Sequence, residues 1–218
     1  MPYFARRHKV VTIDLGGHGD SGLGREDWTM EAFGKDVAAV VEELQLHEVI
    51  LIGHSMGGAV IIEAARQMPE RVTGLVGVDT FLDLERWYSE EQIDATLSRF
   101  RADFRASTSE LVRGIFRPDA APSLVERVVN EMCSARPEVG VGAMQGYLRY
   151  DAKAALKKVR EPMYCINSDM RPTNVEAGRR HALSFEVKPM SGVGHFVMLE
   201  DAETFNRLLS EVIHELSQ

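Results

Sequence analysis

The amino-acid sequence predicts an α/β fold, in which a mostly parallel sheet is flanked by helices and interrupted by one helical insertion. Short apolar segments, rich in Val and Ile and bounded by Gly, Asp or Pro, have the length and composition of buried strands. Five segments have these properties, at residues 9–14, 48–53, 72–79, 163–167 and 184–190. Helical patterns lie between them, and such alternation is typical of a parallel sheet with crossover helices.

Three helices are predicted to flank this sheet. Apolar residues recur near the helical period over residues 29–44 and again over residues 202–216. A further helix is predicted over residues 56–68, because this segment follows a strand directly and ends before Pro69. Each of these helices has an apolar side that can pack against the sheet.

The region of residues 83–155 breaks the alternation, because it contains no segment with the properties of a strand. It contains four helical patterns separated by turns with Pro, at residues 89–104, 109–116, 122–133 and 137–151. We therefore expect a core of residues 1–82 and 156–218, with residues 83–155 inserted into it as a helical cap.

Composition and charge argue against several classes of function. The chain has 218 residues and a net charge of −8, which argues against nucleic acid or a membrane as a partner. No apolar signal-peptide core or membrane-spanning run is present, so we expect a cytoplasmic protein. Neither the two cysteines, Cys133 and Cys165, nor any other cluster has the spacing of metal ligands. We expect no metal and no organic cofactor.

The strongest chemical signal is the sequence GHSMGG at residues 53–58. It contains G-x-S-x-G directly after a predicted strand and directly before a predicted helix, which is the context of a nucleophile elbow. Glycine is needed in such a tight turn because a side chain would collide with the neighbouring backbone. The motif predicts Ser55 as a nucleophile and the backbone N–H of Met56 as a donor to an oxyanion.

Two further motifs accompany the elbow. Residues 191–200 read SGVGHFVMLE and follow the last predicted strand, and residues 14–22 read DLGGHGDSG after the first. Together the three motifs resemble those of the α/β-hydrolase superfamily, which implies the α/β-hydrolase fold for this chain. The resemblance implies that His195 is the catalytic base and that His18 is a structural residue at the rim of the pocket.

The resemblance also implies a catalytic acid, for which two candidates remain. Most relatives carry it in the loop after the strand that corresponds to residues 163–167, which favours Asp169. The glycine of the usual pattern is replaced there by Asn167 and Ser168. A minority of relatives carry the acid at the end of the preceding strand, where this chain has Asp79.

The predicted cap implies where substrate is bound. In the superfamily such helices cover the nucleophile and shape an apolar pocket. Candidate substrate-binding residues are His54, Trp87, Tyr147 and Phe196.

Members of the superfamily usually begin with three more strands, one of which lies beside the elbow strand and precedes a loop that donates the second oxyanion N–H. We therefore expect that the sequence is part of a longer protein, that residues 9–14 pack directly beside residues 48–53, or that another copy of the chain fills this edge as a homo-oligomer. Losing one oxyanion donor costs a comparable hydrolase on the order of 10²–10³ in rate. A non-catalytic or weakly active hydrolase-fold protein that acts by binding is therefore the alternative of another class.

The leading functional prediction is hydrolysis of a carboxylic ester with a small or medium acyl group through an acyl-enzyme. The alternatives on the same triad are a lactonase, a perhydrolase or haloperoxidase-like enzyme, and a carbon–carbon bond hydrolase. A serine at position 55 excludes the dehalogenase and epoxide hydrolase chemistry that relatives perform with an aspartate there. The expected partner is a small-molecule ester or lactone.

Overall fold

The structure is a computed structural model that describes residues 2–218. These residues form a four-stranded sheet in the order β1-β2-β3-β4, with every neighbouring pair parallel. The strands are β1 (Val49–His54), β2 (Val72–Val78), β3 (Met163–Ser168) and β4 (Phe185–Met190). Each lies within two residues of a segment predicted from the sequence, which confirms the parallel α/β fold.

The helices connect the strands and cover the sheet. They are α1 (Met30–Glu43), α2 (Met56–Gln67), α3 (Glu90–Ala102), α4 (Phe104–Ile115), α5 (Pro122–Cys133), α6 (Pro137–Leu148), α7 (Ala152–Leu156), α8 (Val175–His181), α9 (Val197–Glu200) and α10 (Ala202–Leu216). A short 3₁₀ helix, Phe4–Arg6, precedes them. Helices α3 to α6 all lie between β2 and β3, within the predicted insertion.

Apolar side chains cover both faces of the sheet. Successive residues of a strand point to opposite faces, so Leu75 and Val76 of β2 enter different clusters. On one side Leu75 is in the cluster that contains Phe33 of α1 and Ile62 of α2. On the other side Val76 is in the cluster that contains Leu209 of α10. Burial on both faces explains why the strands are continuous apolar runs.

Two helix boundaries in the insertion differ from the prediction because of capping side chains. The helix predicted to begin at residue 109 begins at Phe104, since the Asp103 carboxylate accepts a hydrogen bond from the N–H of Ala106. The helix predicted over residues 137–151 ends at Leu148 as α6, and Asp151 caps the separate short helix α7 that follows it.

The first predicted strand is not part of the sheet. Residues 9–14 have no strand partner, although Ile13 packs against the main apolar cluster. The expectation that this segment pairs directly with β1 is therefore wrong. As a result β1 forms one edge of the sheet, where Ile52 is 46% exposed.

Candidate active site

Four predicted site residues follow the carboxyl ends of the strands. Ser55 follows β1, Asp79 follows β2, Asp169 follows β3 and His195 follows β4. Parallel strands end at a common edge of the sheet, and ligands of α/β folds bind outside that edge. The topology therefore places residues distant in sequence in one region.

The turn at Ser55 has the geometry of a strained strand-to-helix elbow. Ser55 has φ +53° and ψ −118°, a conformation that a residue with a side chain rarely adopts. Its N–H donates to the carbonyl of Val78, which fixes the turn against β2 (3.0 Å). A Cβ atom on Gly53 would overlap with the carbonyl of Gly57, so only glycine fits there. Among the described residues, the Ser55 hydroxyl makes no hydrogen bond.

His195 is paired with Asp79. The Nδ1 atom of His195 lies 2.6 Å from Oδ2 of Asp79, whose side chain is only 5% exposed. Because a carboxylate can only accept, Nδ1 carries the proton that is donated to Asp79. The Nε2 atom of His195 is then the nitrogen that can accept a proton from another group.

The position of Asp79 depends on β3. Its second oxygen, Oδ1, accepts a hydrogen bond from the N–H of Ser168 at 2.7 Å. The side chain of Asn167 binds the next residue, Thr80, by accepting from its N–H at 3.2 Å and donating to its carbonyl at 3.0 Å. The amide of Asn167 also donates to the hydroxyl of Thr173 at 3.0 Å. The two residues that replace the usual glycine pattern therefore hold the carboxylate that His195 contacts.

Asp169, the acid that the sequence favoured, does not contact His195. Its Oδ1 atom accepts a hydrogen bond from the N–H of Gly192 at 3.2 Å and lies 3.7 Å from the Arg117 guanidinium. Its side chain is 44% exposed. The sequence favoured Asp169, but the structure pairs His195 with Asp79, and the carboxylate of Asp169 contacts the backbone of Gly192 and Arg117 instead.

The loop of residues 191–196, called here the His195 loop, is held by several backbone contacts. The N–H of His195 donates to the carbonyl of Ile115, the last residue of α4, at 2.9 Å. The Glu200 carboxylate accepts from the N–H groups of Gly194 and Phe196, at 2.8 and 3.1 Å. This role of Glu200, five residues after His195, was not predicted from the sequence.

His54 contacts the loop that carries His195. Its Nε2 atom lies 2.9 Å from the carbonyl oxygen of His195, and the two ring centroids are 4.5 Å apart. Burial, together with the neighbouring His195, lowers the pKa of His54 from 6.5 to about 4. The prediction that His54 binds substrate is not supported, since its Nε2 is already engaged.

The three other predicted substrate-binding residues are in different environments. Phe196 is 8% exposed and its ring stacks on that of Phe116 at 4.9 Å, so it is a packing residue and not a free pocket wall. Trp87 is 75% exposed. Tyr147 of α6 packs against the main apolar cluster, and burial raises the pKa of its hydroxyl.

No group of His, Cys, Asp and Glu side chains in residues 2–218 has the arrangement of a metal site. None of the helices in this part of the chain is both long and apolar enough to cross a bilayer.

Comparison with known proteins gives matches over almost the whole chain. The model of the family described as "Alpha/beta hydrolase family" matches residues 1–208. The Karrikin insensitive 2 receptor CA of Petunia hybrida is 24% identical, over 98% of this chain and 85% of that protein. The 3-oxoadipate enol-lactonase 2 of Acinetobacter baylyi is 22% identical, over 98% of this chain and 81% of that protein. Among solved structures, a thermophilic esterase from Thermogutta terrifontis superposes with a TM-score of 0.80, at 24% identity over 94% of this chain and 79% of that one.

Proposed function

Because this chain belongs to the alpha/beta hydrolase family, we propose that it is a serine hydrolase that cleaves a carboxylic ester through a covalent acyl-enzyme. The observation that carries the proposal is the pair of His195 and Asp79, 2.6 Å apart, at the end of the sheet where the strained turn of Ser55 lies. A nucleophilic serine requires a base, and that base requires an orienting acid.

The first step is attack of Ser55 on the ester carbonyl. The Ser55 oxygen forms a bond to the carbonyl carbon while Nε2 of His195 takes the hydroxyl proton. Asp79 holds the other nitrogen, Nδ1, and stabilises the imidazolium that results. The Ser55 hydroxyl, which has no hydrogen-bond partner among the described residues, rotates toward Nε2. Such contacts are often long in the absence of substrate.

The negative charge that develops on the carbonyl oxygen requires hydrogen-bond donors. Met56 is the first residue of α2, and the first N–H groups of a helix have no partner within the helix. Its N–H is therefore available to the oxyanion, and the positive end of the helix dipole lies at the same point. We assign Met56 as one oxyanion donor.

The second half of the reaction releases the acid. Collapse of the tetrahedral intermediate breaks the ester C–O bond, and the alcohol leaves with the proton from Nε2 of His195. Water then attacks the acyl-enzyme, His195 takes its proton, and the carboxylic acid is released as the Ser55 hydroxyl is restored. No cofactor enters this scheme.

A lactone is the second candidate substrate. A lactone is a cyclic ester, so the same steps open the ring, and the alcohol stays attached to the acyl group. The similarity to an enol-lactonase over 98% of this chain supports this candidate.

We also propose that residues 83–155 act as a cap over the site. The carbonyl of Ile115 accepts the N–H of His195, so this helical segment reaches the His195 loop directly. Trp87 and Tyr147 remain candidates for contact with substrate on this side.

The test is covalent labelling combined with hydrolysis assays. We expect a fluorophosphonate probe to label the wild type and not Ser55→Ala, and p-nitrophenyl esters and lactones to be hydrolysed only by the wild type. Ser217→Ala is a matched control, because Ser217 is exposed beyond the end of α10. A folded wild type that neither reacts with the probe nor hydrolyses any substrate would instead support a binding protein.

A further inference from the structure

His54 joins two parts of the site that lie on different strands. It is the last residue of β1 and precedes Ser55 directly. Through its Nε2 atom it contacts the carbonyl oxygen of His195 at 2.9 Å, and its ring lies against those of His195 and Phe196, with centroids 4.5 and 5.3 Å away. One side chain therefore connects the backbone of the nucleophile to that of the base.

The direction of this hydrogen bond fixes the proton on His54. A backbone carbonyl can only accept, so Nε2 of His54 is the donor and carries a hydrogen. A neutral ring then leaves Nδ1 unprotonated. The ionisable groups that act on His54 are His195 and Asp79, and burial disfavours the charged form more strongly than either.

We infer that His54 is a positioning residue, which sets the distance between Oγ of Ser55 and Nε2 of His195 by donating a hydrogen bond to the carbonyl of His195. This role rests on the proposed serine hydrolase function. His54 acts through the backbone of the His195 loop, whose carbonyl it binds.

A neutral donor suits this position better than a charged one. When His195 takes the proton of Ser55 it becomes an imidazolium, and a second positive charge in the adjacent ring would oppose that step. A neutral imidazole supplies the hydrogen bond without this repulsion. The low pKa of His54, about 4, keeps it neutral at the pH where a histidine base works.

The rest of the His195 loop does not depend on His54 for its fold. The carbonyl of Ile115 and the carboxylate of Glu200 bind the same loop through three backbone N–H groups. Loss of the His54 hydrogen bond should therefore shift the base slightly without unfolding the loop. A misplacement of about 1 Å can reduce a rate by about 10²-fold.

Three variants of His54 and one control test the proposal. His54→Gln keeps an amide N–H that reaches the same carbonyl, His54→Asn has a shorter amide, and His54→Leu has no donor. The control is His47→Gln, in the exposed turn before β1. The measurements are kcat and KM for a p-nitrophenyl ester and the rate of fluorophosphonate labelling.

We expect His54→Leu to lose about 10- to 100-fold in kcat and in labelling rate, with KM nearly unchanged. His54→Gln should retain most of the activity, and His54→Asn should lose about as much as His54→Leu. If His54→Leu does not fold, the contrast between Gln and Asn decides, because both are polar and differ in reach. His47→Gln should match the wild type.

Two results would overturn the inference. One is full activity in His54→Leu, and the other is an equal loss in the Gln and Asn variants, which would indicate a requirement for the imidazole itself or for its shape. Both are distinct from failure of the proposed function, in which the wild type itself would not react with the probe.

Discussion

At the scale of single residues, the pairing of His195 with Asp79 depends on residues outside the three sequence motifs. Asp79 is held by the N–H of Ser168, and Thr80 beside it is held by the amide of Asn167. The motifs predict Ser55 and His195 as site residues because each lies in a turn with its own glycine pattern. The choice between Asp79 and Asp169 depends on backbone geometry across two strands, which no local pattern encodes.

The first prediction compares the two carboxylates. Asp79→Asn should reduce kcat for ester hydrolysis by about 10³- to 10⁴-fold, because an amide no longer fixes the proton on Nδ1 of His195 or stabilises the imidazolium. Asp169→Asn is the matched control and should lose less than about tenfold, since its carboxylate contacts Gly192 and Arg117 while His195 is paired with Asp79. Steady-state kinetics of both variants measure this. Equal losses would contradict the assignment of Asp79.

The second prediction concerns Asn167. Asn167→Ala removes the side chain that binds both the N–H and the carbonyl of Thr80, in a position that is 1% exposed. Leaving a buried backbone group unpaired costs about 1–3 kcal/mol, so the free energy of unfolding in urea should fall by that amount or more. A smaller loss of kcat than in Asp79→Asn is expected, because Asp79 keeps its bond to Ser168. An unchanged unfolding midpoint would show that the Asn167 bonds do not stabilise the turn.

At the scale of elements, the insertion is attached to the His195 loop through the end of α4. The carbonyl of Ile115 accepts the N–H of His195, and Phe116 stacks on Phe196 at 4.9 Å. Phe196 is part of the apolar cluster of α4 and α5, together with Val112 and Val128. The sequence predicted these helices as helical patterns separated by turns with Pro. It could not predict that Phe196 packs into them, because the contact joins segments far apart in the chain.

The third prediction tests this attachment. Phe116→Ala removes a ring that is 5% exposed, and truncation of a buried Phe typically costs about 3–5 kcal/mol. We expect the free energy of unfolding to fall by about this amount and kcat to fall as well, because the His195 loop loses its packing partner. Leu111→Ala is the matched control, since Leu111 lies on α4, which Phe116 directly follows, and is 36% exposed. If only stability falls, the insertion supports the fold without positioning the base.

At the scale of the whole molecule, the sequence predicts a strand correctly where an apolar segment also has a neighbouring strand with which to pair. The four strands of the sheet and the helices that flank it follow from alternating apolar segments, and they occur close to their predicted bounds. The segment of residues 9–14 has the same composition but no neighbouring strand, so it does not enter the sheet. A strand is defined by its partner, and apolar composition alone does not supply one.

The fourth prediction concerns the pH dependence of the free energy of unfolding. His54 should contribute to it because its pKa is lowered in the folded protein. The pKa of His54 is lowered to about 4 in the folded protein, against 6.5 for an ordinary histidine. Between these two values the unfolded chain binds a proton that the folded chain does not. The contribution of His54 to the free energy of unfolding is therefore fully present above the unfolded pKa and is lost as the pH falls through this window.

Each pH unit within this window lowers the free energy of unfolding by about 1.36 kcal/mol through His54. The protein should therefore be about 2 kcal/mol less stable at about pH 5 than at neutral pH because of this residue. Other groups also titrate in acid, so the effect is measured as a difference between variants. Urea unfolding at a series of pH values should show a shallower loss in His54→Gln than in the wild type, because glutamine does not titrate. His47→Gln, which removes an exposed histidine, should follow the wild type. If the curves of the wild type and His54→Gln are parallel across the window, His54 binds its proton equally in the folded and unfolded chains. The inference that it remains a neutral donor beside His195 would then lose its electrostatic basis.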